Sequence, residues 1–144
     1  MATTDAWKDR VNALAAFLDC DPDDISPETY DDCLFSAEGG EYLVLDDDEA
    51  YERCEEYIRE SVWAFRPEWL ADYMPGGLSP DDVDSIRGDR CEDANDLLTA
   101  LIEAGEGMDL FVSNSIVADG RGHFLSSYDG EEHEQGPFFI YRVN

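Results

Sequence analysis

The sequence predicts an α+β fold: a single domain over residues 1–144, with about four antiparallel strands in two hairpins packed with four to six helices. Three observations carry this. Apolar residues recur at helical spacing in several segments, and short apolar runs flank glycine-containing turns at two places. The 144 residues, 43% hydrophobic and 12% aromatic, supply one core and not two.

The elements follow in order. Trp7, Val11, Leu14 and Leu18 mark one face of a helix from about Thr4 to Leu18, which stops in the Asp-rich turn around Pro22. The stretch to Asp32 reads as an acidic loop. Cys33–Ala37 and Glu41–Leu45 flank Glu38-Gly39-Gly40 and predict the first hairpin. The acids Asp46 to Glu49 suit the first turn of a long helix reaching Phe65, with Tyr51, Cys54, Ile58, Val62 and Phe65 as its buried stripe. A short helix follows from Pro67 to Tyr73. Ser79-Pro80 is a helix start, with serine as cap and proline at the first helical position. Helices are expected over Asp89–Ala104 and Met108–Ala118. Gly122–Ser126 and Phe138–Val143 read as the strands of the second hairpin.

The outlier is charge. Against 36 Asp plus Glu stand 9 Lys plus Arg, a net −27. Phosphate backbones and anionic lipid surfaces would repel such a chain, so neither nucleic acid nor membrane is expected as a direct partner. No apolar run approaches the roughly 20 residues of a membrane span. Met1-Ala2-Thr3-Thr4-Asp5 has no charged and apolar signal-peptide regions, and a cytoplasmic location is expected. Of the basic residues only Lys8 is a lysine; the other eight are arginines. Lysine depletion with 21 Asp and 15 Glu fits a salt-adapted cytosol, and equally a protein that imitates a polyanion.

Motifs for chemistry are scarce. Cys20, Cys33, Cys54 and Cys91 form no CxxC pair, so reduced, mostly buried thiols are expected and no zinc site. There is no GxSxG, P-loop or GxGxxG motif. Asp21, Asp23 and Asp32 fail as an EF-hand loop because Ser26 stands where that loop needs glycine. His123 and His133 flank Asp129, Glu131, Glu132 and Glu134; a metal-assisted hydrolase there is an alternative, although no spaced ligand motif supports it. No cofactor and no enzymatic activity are expected. The aromatic group Trp63, Phe65, Trp69 and Tyr73 reads as core packing, with interface anchoring as the other option.

The remaining candidate is electrostatic. Glu49, Glu52, Glu56 and Glu60 recur at 3, 4 and 4 residues on the long helix, opposite its apolar stripe. Four helical residues rise about 6 Å, a spacing comparable to that of neighbouring phosphates on one strand. Like charges at i,i+4 cost a helix about 0.2–0.5 kcal/mol per pair, so the row opposes folding unless something else favours it. Glu92, Asp93 and Asp96 form a second patch. The plain alternative for both is a solvated surface.

Two segments resemble small acidic proteins of phage and plasmid genomes whose function is undescribed. One is Gly40–Leu45 running into Asp48-Glu49-Ala50 and Glu60–Phe65. The other is Asp119–Glu132, closing with Ile140–Asn144. The resemblance spans roughly residues 40–144 and brings no catalytic residue with it. It implies a mobile-element context and, for a phage-encoded protein, the host cytoplasm. In that context a DNA mimic would inhibit a defence nuclease complex of the restriction or CRISPR type by occupying its nucleic-acid-binding surface. The expected partner is thus a basic nucleic-acid-binding protein or nuclease complex. The alternative is a salt-adapted cytosolic accessory protein without mimicry.

Overall fold

In the computed structural model, residues 2–144 are described, with side chains from Trp7 onward. Met1 and the side chains of residues 2–6, on which the N-terminal reading partly falls, lie outside the described set. The class is α+β, as the sequence predicts. Five strands form one antiparallel sheet in the order β1-β2-β3-β5-β4. They are β1 (Ser26–Pro27), β2 (Leu34–Ala37), β3 (Gly40–Asp46), β4 (His133–Gln135) and β5 (Phe138–Arg142). The α-helices among the described residues are α1 (Ala2–Leu18), α2 (Asp47–Glu60), α3 (Pro67–Ala71), α4 (Pro80–Arg87), α5 (Asn95–Ala104), α6 (Met108–Asp119) and α7 (Arg121–Leu125). The chain divides into two compact units. One runs up to Cys54 and resumes at Arg121–Asn144; the other is Glu55–Gly120.

The first unit holds the whole sheet. Glu38 and Gly39 both take positive φ, 51° and 81°, between the paired residues Ala37 and Gly40. That is the mirror-image turn whose twist matches a right-handed strand pair, and glycine adopts it without steric cost. The register pairs Phe35 with Tyr42 and Val44 with Ile140. These side chains share one sheet face and bury it against Val11, Leu14 and Ala15 of α1. Trp7, at the start of the same helical stripe, is 44% exposed. Leu43, Leu45 and Tyr141 are buried on the opposite face, so β3 is apolar on both sides. The Arg121 guanidinium of α7 stacks 4.5 Å over Phe139 on that same face.

Several sequence expectations need correction. The acidic loop after α1 contains β1, a two-residue edge strand whose Pro27 blunts further pairing. Gly122–Ser126 is not a strand: residues 121–125 form α7, and the partner of β5 in the second hairpin is β4. The cause is tertiary. Arg121 pairs with Asp47 and Glu132, both at 2.8 Å. A Cβ on Gly122 would meet the Gly130 carbonyl oxygen and come within 2.8 Å of the Glu131 carbonyl carbon. Only glycine lets α7 lie that close to the following loop.

The second unit is helical. α2 ends at Glu60 and not at Phe65; Val62–Ala64 is a separate 3-10 turn. Asn95 explains the stop. Its Nδ2 donates to the Arg59 carbonyl at 2.8 Å, and its Oδ1 accepts from the Trp63 N–H at 3.1 Å. Cys54, Ile58 and Val62 are fully buried as expected, but Tyr51 is 39% exposed. The helix expected over Asp89–Ala104 is split into the 3-10 turn Cys91–Ala94 and α5. Ser79 caps α4 reciprocally with Asp82, completing the predicted start. Phe111 anchors this unit's aromatic packing, with Phe65 at 5.0 Å and Tyr73 at 5.3 Å in edge contacts. Trp69 joins through Tyr73 and donates its indole N–H to buried Ser115 at 2.9 Å. These rings serve packing.

Candidate interaction surface

The carboxylates of α2 divide into two kinds. Glu49 faces inward to the protein's own cations. Its two oxygens accept from both terminal nitrogens of Arg10 at 2.7 and 2.8 Å, and Oε1 also accepts from the Asp46 N–H at 2.8 Å. Asp46 Oδ1 accepts in return from the Glu49 N–H, so the pair is a reciprocal cap on the first turn of α2. Arg10 is nearly enclosed, its side chain 11% exposed, and donates also to the Val44 carbonyl. Burial pushes the Glu49 carboxyl up, but the Arg10 and Asp46 hydrogen bonds outweigh it, and the net position lies below the ordinary carboxylate range. Beside it, Arg53 grips Asp31 bidentately at 2.7 and 2.8 Å, which holds the Asp31 carboxyl low. Cys33, its Sγ 3.8 Å from Glu49, is raised by burial and is no activated nucleophile.

Glu52, Glu56 and Glu60 are exposed, as is Asp48 one turn before Glu52. They continue the four-residue spacing in the direction of solvent. Glu92 and Asp93 lie exposed on the 3-10 turn, and Asp96 lies exposed in the first turn of α5. The Asn95 bonds to Arg59 and Trp63 tie this second group to the C-terminal end of α2, next to Glu60. Sequence reasoning missed Asn95. An Asn before an apolar run signals a helix start, but its partners are more than 30 residues away.

The basic residues are disposed the other way. Five arginines hold seven carboxylates in ion pairs among the described residues: Arg10, Arg53, Arg59, Arg87 and Arg121. Arg87 also donates to the carbonyls of Trp63 and Phe65, and Arg90 to that of Ile86. Arg142 lies 3.8 Å over the Tyr128 ring and donates to the Asn144 carbonyl. Most of the positive charge therefore ties the chain to itself, and the uncompensated carboxylates face solvent.

The histidines are separated in their roles. His123 lies exposed on α7, its ring 4.9 Å from Phe124, and His133 on β4 packs 4.7 Å from Phe17. The strand expected to carry His123 beside His133 does not form. Among the described residues no group of three or more His, Cys, Asp or Glu is arranged to hold a metal ion. All four cysteines are free thiols, with Cys33 and Cys54 buried and Cys91 exposed. No described helix is long and apolar enough to cross a membrane.

Comparison with protein-family models, characterised proteins and solved structures found no match to this chain.

Proposed function

We propose that the protein is a non-enzymatic acidic binding protein that competes with nucleic acid for a basic surface. The observation that carries this reading is the division of charge: most arginines are engaged internally, while Glu52, Glu56 and Glu60 stand exposed on α2 without an ion-pair partner among the described residues. Oriented carboxylates would pair with lysines and arginines that otherwise hold phosphates, as charge-assisted contacts. Glu92, Asp93 and Asp96 extend the surface at the end of α2. Glu49 takes a supporting part, since it holds the helix start and does not face a partner. The resemblance to phage and plasmid proteins makes a restriction or CRISPR nuclease complex the proposed target class. Steering by the −27 charge would make association fast and salt-dependent.

One observation favours a second reading, a salt-adapted protein with a solvated acidic shell. Exposed acids occur on both units: Asp21, Asp23 and Asp24 before β1, Asp81 and Asp82 on α4, Glu131 and Glu134 around β4. The test is a pull-down from host lysate at about 0.1 M and about 0.5 M salt, with circular dichroism on the same samples. A nucleic-acid-binding protein retained at low salt, lost at high salt and weakened by E52Q/E56Q/E60Q supports mimicry. Undiminished capture by that folded variant discards the helix assignment. No partner, with a fold that fails at low salt and returns at high salt, replaces mimicry by the second reading.

A further inference from the structure

We infer that the outward line of α6, Leu110 and Val117, is a docking ridge for a basic amphipathic helix. This rests on the carboxylate reading above and names the kind of partner segment it takes. α6 buries Met108, Phe111, Val112 and Ser115 on its core side. Leu110 and Val117 project from the opposite side, 43% and 84% exposed. Seven residues are two helical turns, so the two side chains align about 10 Å apart along one line. One exposed apolar residue is ordinary; two in line on the side of α6 opposite its buried residues form a ridge.

The surroundings of the ridge specify its occupant. Asp109, adjoining Leu110, is held at 2.8 Å by Arg59 of α2. The apolar line thus starts beside the helix that carries exposed Glu56 and Glu60. Glu106 precedes it and Asp119 follows it, both exposed. A second copy would bring −27 against −27, and an anionic membrane or nucleic acid would be repelled in the same way. A helix with leucines at i and i+7 and flanking lysines or arginines meets the apolar ridge and the acidic rim together.

The test measures binding of two synthetic helical peptides of equal positive charge, one Leu/Lys and one Ala/Lys, by fluorescence anisotropy at about 0.15 M salt. The wild-type protein should bind the Leu/Lys peptide about tenfold tighter or more, the scale of one well-buried apolar anchor. Leu110→Ala/Val117→Ala should remove that difference and leave Ala/Lys binding unchanged. Val117→Lys, at a site too exposed to affect the core, should weaken Leu/Lys binding further. Equal binding of the two peptides to wild type, or an undiminished difference in the double variant, overturns the ridge. Ala/Lys binding that is absent or indifferent to salt instead counts against the carboxylate reading on which the ridge rests.

Discussion

Replacing Glu49 by alanine separates the two kinds of carboxylate on α2. The Glu49 side chain accepts three hydrogen bonds, two from Arg10 and one from the Asp46 N–H. Removing it leaves Arg10, 11% exposed, with the Val44 carbonyl as its hydrogen-bond acceptor at 2.7 Å. Breaking a buried ion pair costs about 3–5 kcal/mol. Glu49 is itself 31% exposed, so screening reduces the figure to about 2 kcal/mol. Loss of the cap adds about 1 kcal/mol. The sum, about 3 kcal/mol, lowers Tm by roughly 6–12 °C for a chain of this size. Thermal melts at about 0.5 M salt isolate the effect, because general self-repulsion is screened there. Glu52→Ala, Glu56→Ala and Glu60→Ala should each change stability by no more than about 0.5 kcal/mol, as exposed substitutions do. A Glu49→Ala protein melting within about 2 °C of wild type would refute this account of the helix start. The same residue sets an acid limb. Glu49 and Asp31 both titrate lower in the folded protein than in the unfolded chain. Their contribution is therefore complete above the unfolded value near 4 and is lost as pH falls through the folded values. Glu49→Ala should flatten that limb in acid titrations followed by circular dichroism.

Two further outcomes follow from the packing. Gly105→Ala would place a Cβ against the Tyr73 carbonyl and 2.7 Å from the Met74 carbonyl carbon, where backbone cannot yield, so urea denaturation should show a loss of about 3 kcal/mol; unchanged stability would mean α5 does not approach that strand of backbone so closely. In a maleimide labelling time course on the native protein, exposed Cys91 should react first, whereas Cys33 and Cys54 should react only on unfolding, the Cys54 thiol being pushed up to about 12 by burial; early labelling of Cys54 would contradict its enclosure.

Much of the local structure was legible in the sequence. Ser79-Pro80 marks a helix start because a hydroxyl cap and a fixed φ are properties of those residues alone. Glu38-Gly39-Gly40 between two apolar runs marks a hairpin because glycine takes the positive φ of a tight turn without steric cost, as Gly39 does. Val11 and Leu14, and likewise Cys54, Ile58 and Val62, declare their buried faces by spacing. The acidic character of the surface is also set by composition, since a core of this size has no room for 36 carboxylates.

What spacing could not convey is which acids are already engaged. Glu49 is indistinguishable in sequence from Glu52, Glu56 and Glu60, yet Arg10, 39 residues away, removes it from the exposed row. Gly122–Ser126 reads as a strand ahead of a turn, yet Arg121 bonding Asp47 across 74 residues and the close approach at Gly122 accompany a helix over Arg121–Leu125. The end of α2 is likewise decided by Asn95, not by its own propensity. Local preferences amount to tenths of a kcal/mol per residue, whereas a paired, half-buried guanidinium or a backbone in van der Waals contact is worth several times that. The sequence by itself determined the class, several helical faces and the charge; the tertiary structure decided which carboxylates are held in internal ion pairs, because only long-range pairing consumes them.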